Sequence, residues 1–430
     1  MYLKLPGGVD PNGQKVILSP PFYKEPGTTP VVQVANSPGL IIDGLRIQAS
    51  GTFGIQFDPA STHAVVRNCI FEYCRAGLGL ASHSLVEWCE HTYPGLRALA
   101  EEVRERNGGD VDADMFSLVK RYHPESWYNF GIADCALGME EPPTNCEFRY
   151  NFLHELLDGE NLGSFNDSES HHNVYLYCYD NHVELEAWQE GFPSRNLRLH
   201  HNLLLGCPRP PVSHQASNKI EGPHYVYRNV IYGYDANGMN PWTLIKSQCY
   251  GKGRGFYYYH NLFWVESAEL FWNDREWPQE WLKTWEFKNN IFIFDRILKQ
   301  PGGPAGSENF FQAAGNIVAA NRADKSILDA LLRNGGRALA SGDEIRLRDP
   351  DSLDFRLTRG SPAIDAGVDL PGFNDEAEGR PDSGPFEFGE EPGPDWPRPR
   401  RTVFNASPPE RISGRQEPPK IVPLKRRTDR

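Results

Sequence analysis

The feature that most constrains this chain is a recurring segment. "AVVRNCIFEYC", "CEFRYNFLHEL", "NLRLHHNLLLG", "HYVYRNVIYGY", "FYYYHNLFWV" and "WEFKNNIFIF" share one plan: an alternating apolar run, a basic or polar residue, Asn, then a second apolar run. The asparagines are Asn68, Asn151, Asn202, Asn229, Asn261 and Asn290, with spacings of 27, 32 and 29 from Asn202 onward. The 51 residues from Asn151 to Asn202 read as two repeats, and "LIIDGLRIQ" sets Gly44 24 residues before Asn68. A period in the twenties, built of strands rather than helices, describes a solenoid. Asn tolerates the left-handed backbone and bonds locally, so it is expected at a tight bend between strands, stacked coil upon coil into an internal ladder. A β-sandwich is the competing architecture. It calls for Asn-Gly or Asp-Gly turns every ~8–12 residues, and these are sparse here.

The repeats resemble the right-handed parallel β-helix of the pectin-lyase-like superfamily over roughly 31–294. The resemblance implies an all-β fold, a single-stranded right-handed parallel β-helix. Its expected extent is 31–320, after an N-terminal edge segment at 1–30 that reads like the middle of a domain. "TYPGLRALAEEVRERNGGDVDADMFSLVKRYHPE" has helical spacing and charge and is expected to be a helical insertion at about 92–125. "ADKSILDALLRNGGRALASG" predicts a short helix after the last coils. "SPAIDAG", followed by Arg380, Asp382, Gly384 and Glu387, is similar to the closing segment of bacterial β-helix proteins. That similarity implies that 321–390 caps the last coil, since an open solenoid end invites aggregation. The Pro- and Arg-rich stretch 391–430 reads as a disordered tail.

The formal charge of −13 argues against a nucleic-acid partner, which needs a basic face. No apolar run reaches the ~18 residues of a membrane helix, so no membrane partner is expected. The opening "MYLKLPGGVDPNG" has no apolar signal region, although the resemblance implies an extracellular or periplasmic home. Of 8 cysteines none stands in a CxxC pair, and Cys69 and Cys178 fall in apolar strands. Buried thiols are the plain reading and disulfides the alternative.

Chemistry concentrates in "CYDNHVELEAWQEG". Residues on a strand alternate between core and exterior. Val183 and Leu185 therefore face in, and Glu184 and Glu186 face out, with Asp180 and His182 on the same parity. Asp158 stands 26 residues before Glu184, and Glu160 stands 26 before Glu186, which is one coil. That register stacks two carboxylate pairs ~4.8 Å apart. Four like charges so close require a cation or a proton. Asp158, Glu160, Glu184 and Glu186 are thus candidate ligands of Ca²⁺, or one of the acids has a raised pKa and serves as a general acid. A solvated acidic edge is the plain alternative. Later coils bring His214 and Lys246, and the asparagine register sets Gln215 and Lys246 near the column of Glu186. "GPHYVYRNV", Lys246 and "YHN" resemble a series found in pectin-lyase-like proteins of unassigned activity. Trp188 and Trp242 are candidate platforms for sugar rings, and Arg254 is a further candidate substrate contact. His171, His172, His200 and His201 fall near coil turns and are assigned no role.

The resulting expectation is a monomeric carbohydrate-active enzyme with a polysaccharide partner and no organic cofactor. As a lyase it would eliminate across a uronic acid, drawing its catalytic groups from Asp180, His182, Glu184, Glu186, His214 and Lys246. As a glycoside hydrolase it would use two of the carboxylates. A uronan epimerase and a non-catalytic glycan-binding β-helix are the remaining readings. The "NTD", "DD" and "RIK" set of polygalacturonases and the "RxPxxR" of pectate lyases are absent.

Overall fold

The computed structural model describes residues 30–93, 131–135, 138–186, 193–214, 220–233, 241, 243–246, 254–272, 283–298, 311–374, 377, 379–390 and 396. The expected helical insertion falls almost wholly outside them. So do most of 1–30 and 391–430, and Trp188, Gln215 and Trp242.

Each complete coil has three faces. The coil at the centre of the molecule runs through Glu169–His171 on the first face, Val174–Cys178 on the second and Val183–Glu184 on the third. Each strand pairs in parallel with its counterpart one coil away: Ser170 with Leu199, Tyr175 with Leu204, and Val183 with Val212. The pattern continues from Val32–Val34 to Arg337–Leu339. Parallel neighbours joined by a crossover take the right hand almost without exception. The fold is the right-handed parallel β-helix that the repeat implied.

The interior holds one long apolar column per face. On the second face it runs Leu153, Tyr175, Leu204, Ile231, Phe263, Phe292, Val318. Rings in it stack coil on coil, with Phe263 and Phe292 5.0 Å apart and within 5° of parallel. The ladder is also present. Asn151, Asn173, Asn202, Asn229, Asn261, Asn290 and Asn316 form its rungs; from Asn173 on, each side-chain oxygen accepts from the backbone and side-chain N–H of the rung before, and Asn151 Oδ1 accepts from the Cys89 backbone N–H. These bonds satisfy buried amides that no sheet reaches.

Two details of the ladder depart from the sequence reading. Asn68 is not a rung: its φ is +53°, and Cys69 and Cys89 hold the rung position in the early coils. The left-handed residue is the one before each rung, such as Tyr150, His172, His201, Arg228 and His260. Asn is required at the next position for its amide, not for its backbone freedom. Asn173 is the rung that divides the 51-residue interval. Cys69, Cys74, Cys89, Cys146, Cys178 and Cys207 are buried free thiols.

The C-terminal part divides its work. The helix Lys325–Leu331, capped by Asp324 accepting from the Ser326 and Ile327 amides, sets Ile327, Ala330 and Leu331 against the end of the core. The last rung closes on it, Asn316 donating to the Leu331 carbonyl at 3.0 Å. The "SPAIDAG" segment does not lie on that end. Ile345, Leu353, Phe355, Leu357, Ala363, Ala366 and Phe386 cover the outside of the second face, against Val174, Leu203, Val230, Leu262, Ile291 and Ile317. The reason is the strand pattern: "VYLYC" and "LLL" are apolar on both sides, and such strands must be covered on both. Asp382 accepts from the Asp365 and Phe388 amides, and Glu387 accepts from the Asp382 amide and from Arg228 at 3.0 Å. The loosely spaced closing motif is a clasp along the flank.

Candidate functional site

The third face carries the acids. Val183 and Leu185 are fully buried in the core, so Glu184 and Glu186 point outward, as their parity requires. They are nonetheless buried there, 5% and 0% exposed, and Asp180 at the corner before them is 8% exposed. A solvated edge is excluded.

The register differs from the expected one by three residues. Glu160 pairs with Val183 and Asn161 with Glu184. Glu160 therefore faces into the solenoid. There it accepts from Ser170 Oγ at 2.7 Å and from the Tyr175 hydroxyl, and its Oε1 has no hydrogen-bond partner among the described residues. Burial raises its pKa to about 7, the two hydrogen bonds opposing. It is not a ligand of an external cation. The coils are close-packed at this point: a Cβ on Gly163 would lie 2.1 Å from the Glu186 carbonyl oxygen.

Asp158 stays with the outward group. It accepts from the Asn181 amide at 3.3 Å. Asp158, Asp180 and Glu184 each offer a carboxylate oxygen, all within 4.8 Å of one another. Asn161, in the column of Glu184, is 2% exposed, and its Oδ1 has no hydrogen-bond partner among the described residues. The column continues through Ser213 to Lys246, so Lys246 is aligned with Glu184 and not with Glu186. Its side chain reaches across to Glu186 Oε1 at 3.3 Å, and Ser213 Oγ donates to the same oxygen. The expected Glu186 ligand is thus occupied by Lys246 and Ser213.

The electrostatics follow from this crowding. Burial raises the pKa of Glu184 far above the ordinary carboxylate value; Asp158, Glu186 and Asp180 add to the rise and Lys246 subtracts from it. Burial disfavours the Lys246 ammonium, but Glu186, Asp180, Glu184 and Asp158 together outweigh burial and hold its pKa above the usual lysine value. Four carboxylates and one ammonium share a poorly solvated pocket, and the remaining negative charge calls for a proton or a cation. Three carboxylate oxygens so close together could serve as ligands of a hard cation such as Ca²⁺.

The other expected residues lie elsewhere. His214 is fully buried inside the solenoid, bonded to Tyr258 Oη at 2.6 Å and packed on Phe256 and Trp285. Burial holds it neutral, with His224 adding to the effect. It is a core histidine, one residue past the outward Ser213. His182 is 1% exposed with its ring 6.1 Å from that of the core residue Tyr175, and burial lowers its pKa to about 3. Arg254 is exposed, ahead of Phe256–Tyr259 on the first face. Asn161, Asn181 and Ser213 were missed by the sequence reading. Counting Asn173 as a rung gives a 22-residue interval, one short of the 23 residues that separate Asn161 from Glu184, so the rungs alone do not reveal the pair.

No family model matches the chain, and no curated protein does. Three solved structures are similar in fold. The first is a tailspike protein double mutant of E. coli bacteriophage HK620 in complex with pentasaccharide (TM-score 0.39, 11% identity, 71% of this chain and 55% of that one). The second is pectate lyase Pel9A (TM-score 0.40, 13% identity, 82% of this chain and 88% of that one). The third is XylC in complex with xylose (TM-score 0.24, 12% identity, 66% of this chain and 50% of that one). This chain therefore spans about half the length of the tailspike and XylC chains. The fold is a right-handed parallel β-helix. That assignment rests on the strand pairing above. No helix among the described residues is long and apolar enough to cross a membrane.

Proposed function

We propose that the third-face pocket is the catalytic centre of a polysaccharide lyase that cleaves a uronic-acid polymer by β-elimination. The observation that carries this reading is the set Asp158, Asp180 and Glu184, with oxygens within 4.8 Å, beside a buried lysine on the same face. Asp158, Asp180 and Glu184, with the Asn161 amide oxygen in the same column, would hold Ca²⁺. A cation bound there supplies positive charge for the substrate carboxylate, which acidifies the proton at C5.

Lys246 is the group of this chain best suited to take that proton. With the acids unneutralised it is held protonated and cannot act as a base. Burial is the largest single influence on it and favours the neutral amine; with Asp158, Asp180 and Glu184 neutralised, only Glu186 of the four acids would still oppose it. Nζ then accepts the C5 proton, the C5–H bonding pair forms the C4–C5 double bond, and the C4–O bond breaks with its pair leaving on oxygen, which takes a proton from solvent. Glu186 and Ser213 keep Nζ positioned through Glu186 Oε1. A polymer substrate fits an extracellular or periplasmic location.

One observation favours a second reading. The raised pKa of Glu184 keeps a proton available for a leaving group, with Asp158 or Asp180 as the partner carboxylate of a glycoside hydrolase. A panel of pectin, alginate, glycosaminoglycan and neutral glycans, assayed with Ca²⁺ and with EDTA, tests both. Unsaturated-uronate absorbance that requires Ca²⁺ supports the lyase. New reducing ends without that absorbance, insensitive to EDTA, would replace it with the hydrolase.

A further inference from the structure

A second cluster of ligating side chains lies on the outside of the first face, and the function proposed above does not use it. Glu147 and Glu169 stand directly opposite each other on neighbouring strands, and His171 is two residues beyond Glu169 on the same outward side. One ligating atom from each of the three lies within 4.8 Å of the others. His171 Nε2 is 3.0 Å from Glu147 Oε1. One coil on, His200 stacks on His171 with ring centres 4.8 Å apart, and its Nε2 faces Glu169 Oε2 at 3.4 Å.

The other edges of these rings are also held. His171 Nδ1 lies 2.7 Å from His172 Nδ1, and His200 Nδ1 lies 2.8 Å from His201 Nδ1. His172 and His201 occupy the left-handed turn positions, at φ +55° and +52°, and stack on each other at 5.0 Å. Only one proton fits between each pair of Nδ1 atoms. When it sits on His171, the Nε2 lone pair is turned toward two carboxylates. A metal-bound imidazole has this arrangement, its far nitrogen donating to a fixed acceptor. When the proton sits on His172, His171 Nε2–H instead donates to Glu147. The pair passes between these tautomers without a change of net charge, His171 Nε2 taking a proton from solvent as His172 Nε2 releases one.

We propose that Glu147, Glu169 and His171 bind a borderline divalent transition ion, Zn²⁺ or Co²⁺ in class, at a site separate from the third-face acids. An imidazole with carboxylates suits such ions, whereas the all-oxygen set of Asp158, Asp180 and Glu184 suits Ca²⁺. Arg149 is the resident competitor, with Nη1 2.7 Å from Glu147 Oε1. It also bonds Glu87 through Nε at 3.0 Å and Nη2 at 2.8 Å, so it keeps a partner when Glu147 turns to an ion. A groove of about 400 Å³, lined by Glu147, Glu169, Asp167 and Arg198, opens beside the cluster and gives an ion access.

The test is a Co²⁺ titration of the full, EDTA-treated chain in saturating Ca²⁺, followed by visible absorption and by melting temperature. One equivalent should bind, develop d–d absorption and raise the melting temperature, and Zn²⁺ should displace it. His171→Gln and Glu169→Gln should each weaken binding at least about tenfold. Glu184→Gln should leave it unchanged, as should His63→Gln with His83→Gln, which removes another stacked surface pair. Absence of a saturable equivalent, binding unchanged by His171→Gln and Glu169→Gln, or binding lost in Glu184→Gln or in the His63/His83 variant would each overturn the proposal. If His171→Gln does not fold, Glu169→Gln, whose side chain is 37% exposed, decides alone.

Discussion

Glu160 and Glu184 sit on adjacent strands of neighbouring coils, one register step apart, and both have pKa values raised by burial. They are otherwise opposites. Glu160 points into the solenoid, where burial and its hydrogen bonds with Ser170 and Tyr175 set its pKa. Glu184 points out, into the fields of Asp158, Glu186, Asp180 and Lys246. A raised carboxylate pKa alone therefore does not mark a functional site. A lone buried acid resolves its cost by holding a proton. Acids converging from two coils around a lysine leave a charge deficit that a cation from outside can fill.

The largest expected effect breaks the outward side of this comparison. Lys246→Ala should lower kcat for elimination by about 10²–10⁴, the usual contribution of a positioned base. It should also destabilise the fold by about 3–5 kcal/mol, because Glu186 loses its buried partner. Lys246→Arg separates the two effects. The charge is kept and stability is largely restored, but a guanidinium does not deprotonate, so activity stays low. Substantial turnover by the arginine variant would remove Lys246 as the base.

The inward side is tested by pH. In the folded state Glu160 keeps its proton up to about pH 7, whereas the unfolded chain loses it near pH 4.5. Between these values the folded state binds more protons, so stability falls as pH rises through that window. The expected loss is on the order of 3 kcal/mol. Glu160→Gln should remove that part of the slope, raising stability relative to the parent above pH 7 with little change below pH 4.5. Denaturant midpoints at several pH values measure it. An unchanged slope would mean that another group titrates in this window.

The same pair shows how far the sequence could be read. The solenoid was legible because the rung plan recurs in "RYNF", "HHNL", "RNVI" and "HNLF", and a ladder forces that recurrence. The outward parity of Glu184 was legible from Val183 and Leu185. The register between coils was not. It assumed a constant 26-residue coil, whereas Glu160 to Val183 spans 23. Third-face strands are two residues long here and follow an irregular corner at Tyr179–His182, so alternation carries no memory across that corner. A slip of three reverses parity and turned Glu160 from a core residue into an apparent site residue. Sequence parity also could not reveal that the outward acids are buried, because alternation reports which way a side chain points and not how much solvent reaches it.

Smaller effects sharpen the outward group. Asp180→Asn and Glu184→Gln should each weaken Ca²⁺ binding at least about 10- to 100-fold, since even residues that only support a ligand cost that much. Excess Ca²⁺ should restore part of the activity. Asn161→Ala should weaken binding less than either. Calorimetric titration of the EDTA-treated protein gives the order. If Glu184→Gln tightens Ca²⁺ binding, the acid serves the site as a proton donor, which favours the hydrolase.

The smallest expected effect is the sharpest test of the contrast. Glu160 and Glu184 are close along the backbone, and groups so placed commonly couple by about 0.5–3 kcal/mol. Yet neither is among the causes of the other's pKa shift. Their side chains leave opposite surfaces of one sheet, Glu160 bonded to Tyr175 and Ser170, Glu184 facing the acids. The single variants Glu160→Gln and Glu184→Gln, with the double, should therefore give additive stabilities within about 0.5 kcal/mol. Ca²⁺ affinity should change with Glu184 only. A larger coupling energy, or a Ca²⁺ affinity that moves with Glu160→Gln, would show that one strand does not insulate the interior from the pocket. Glu160 would then belong to the electrostatics of the site after all, acting through the sheet from inside the solenoid.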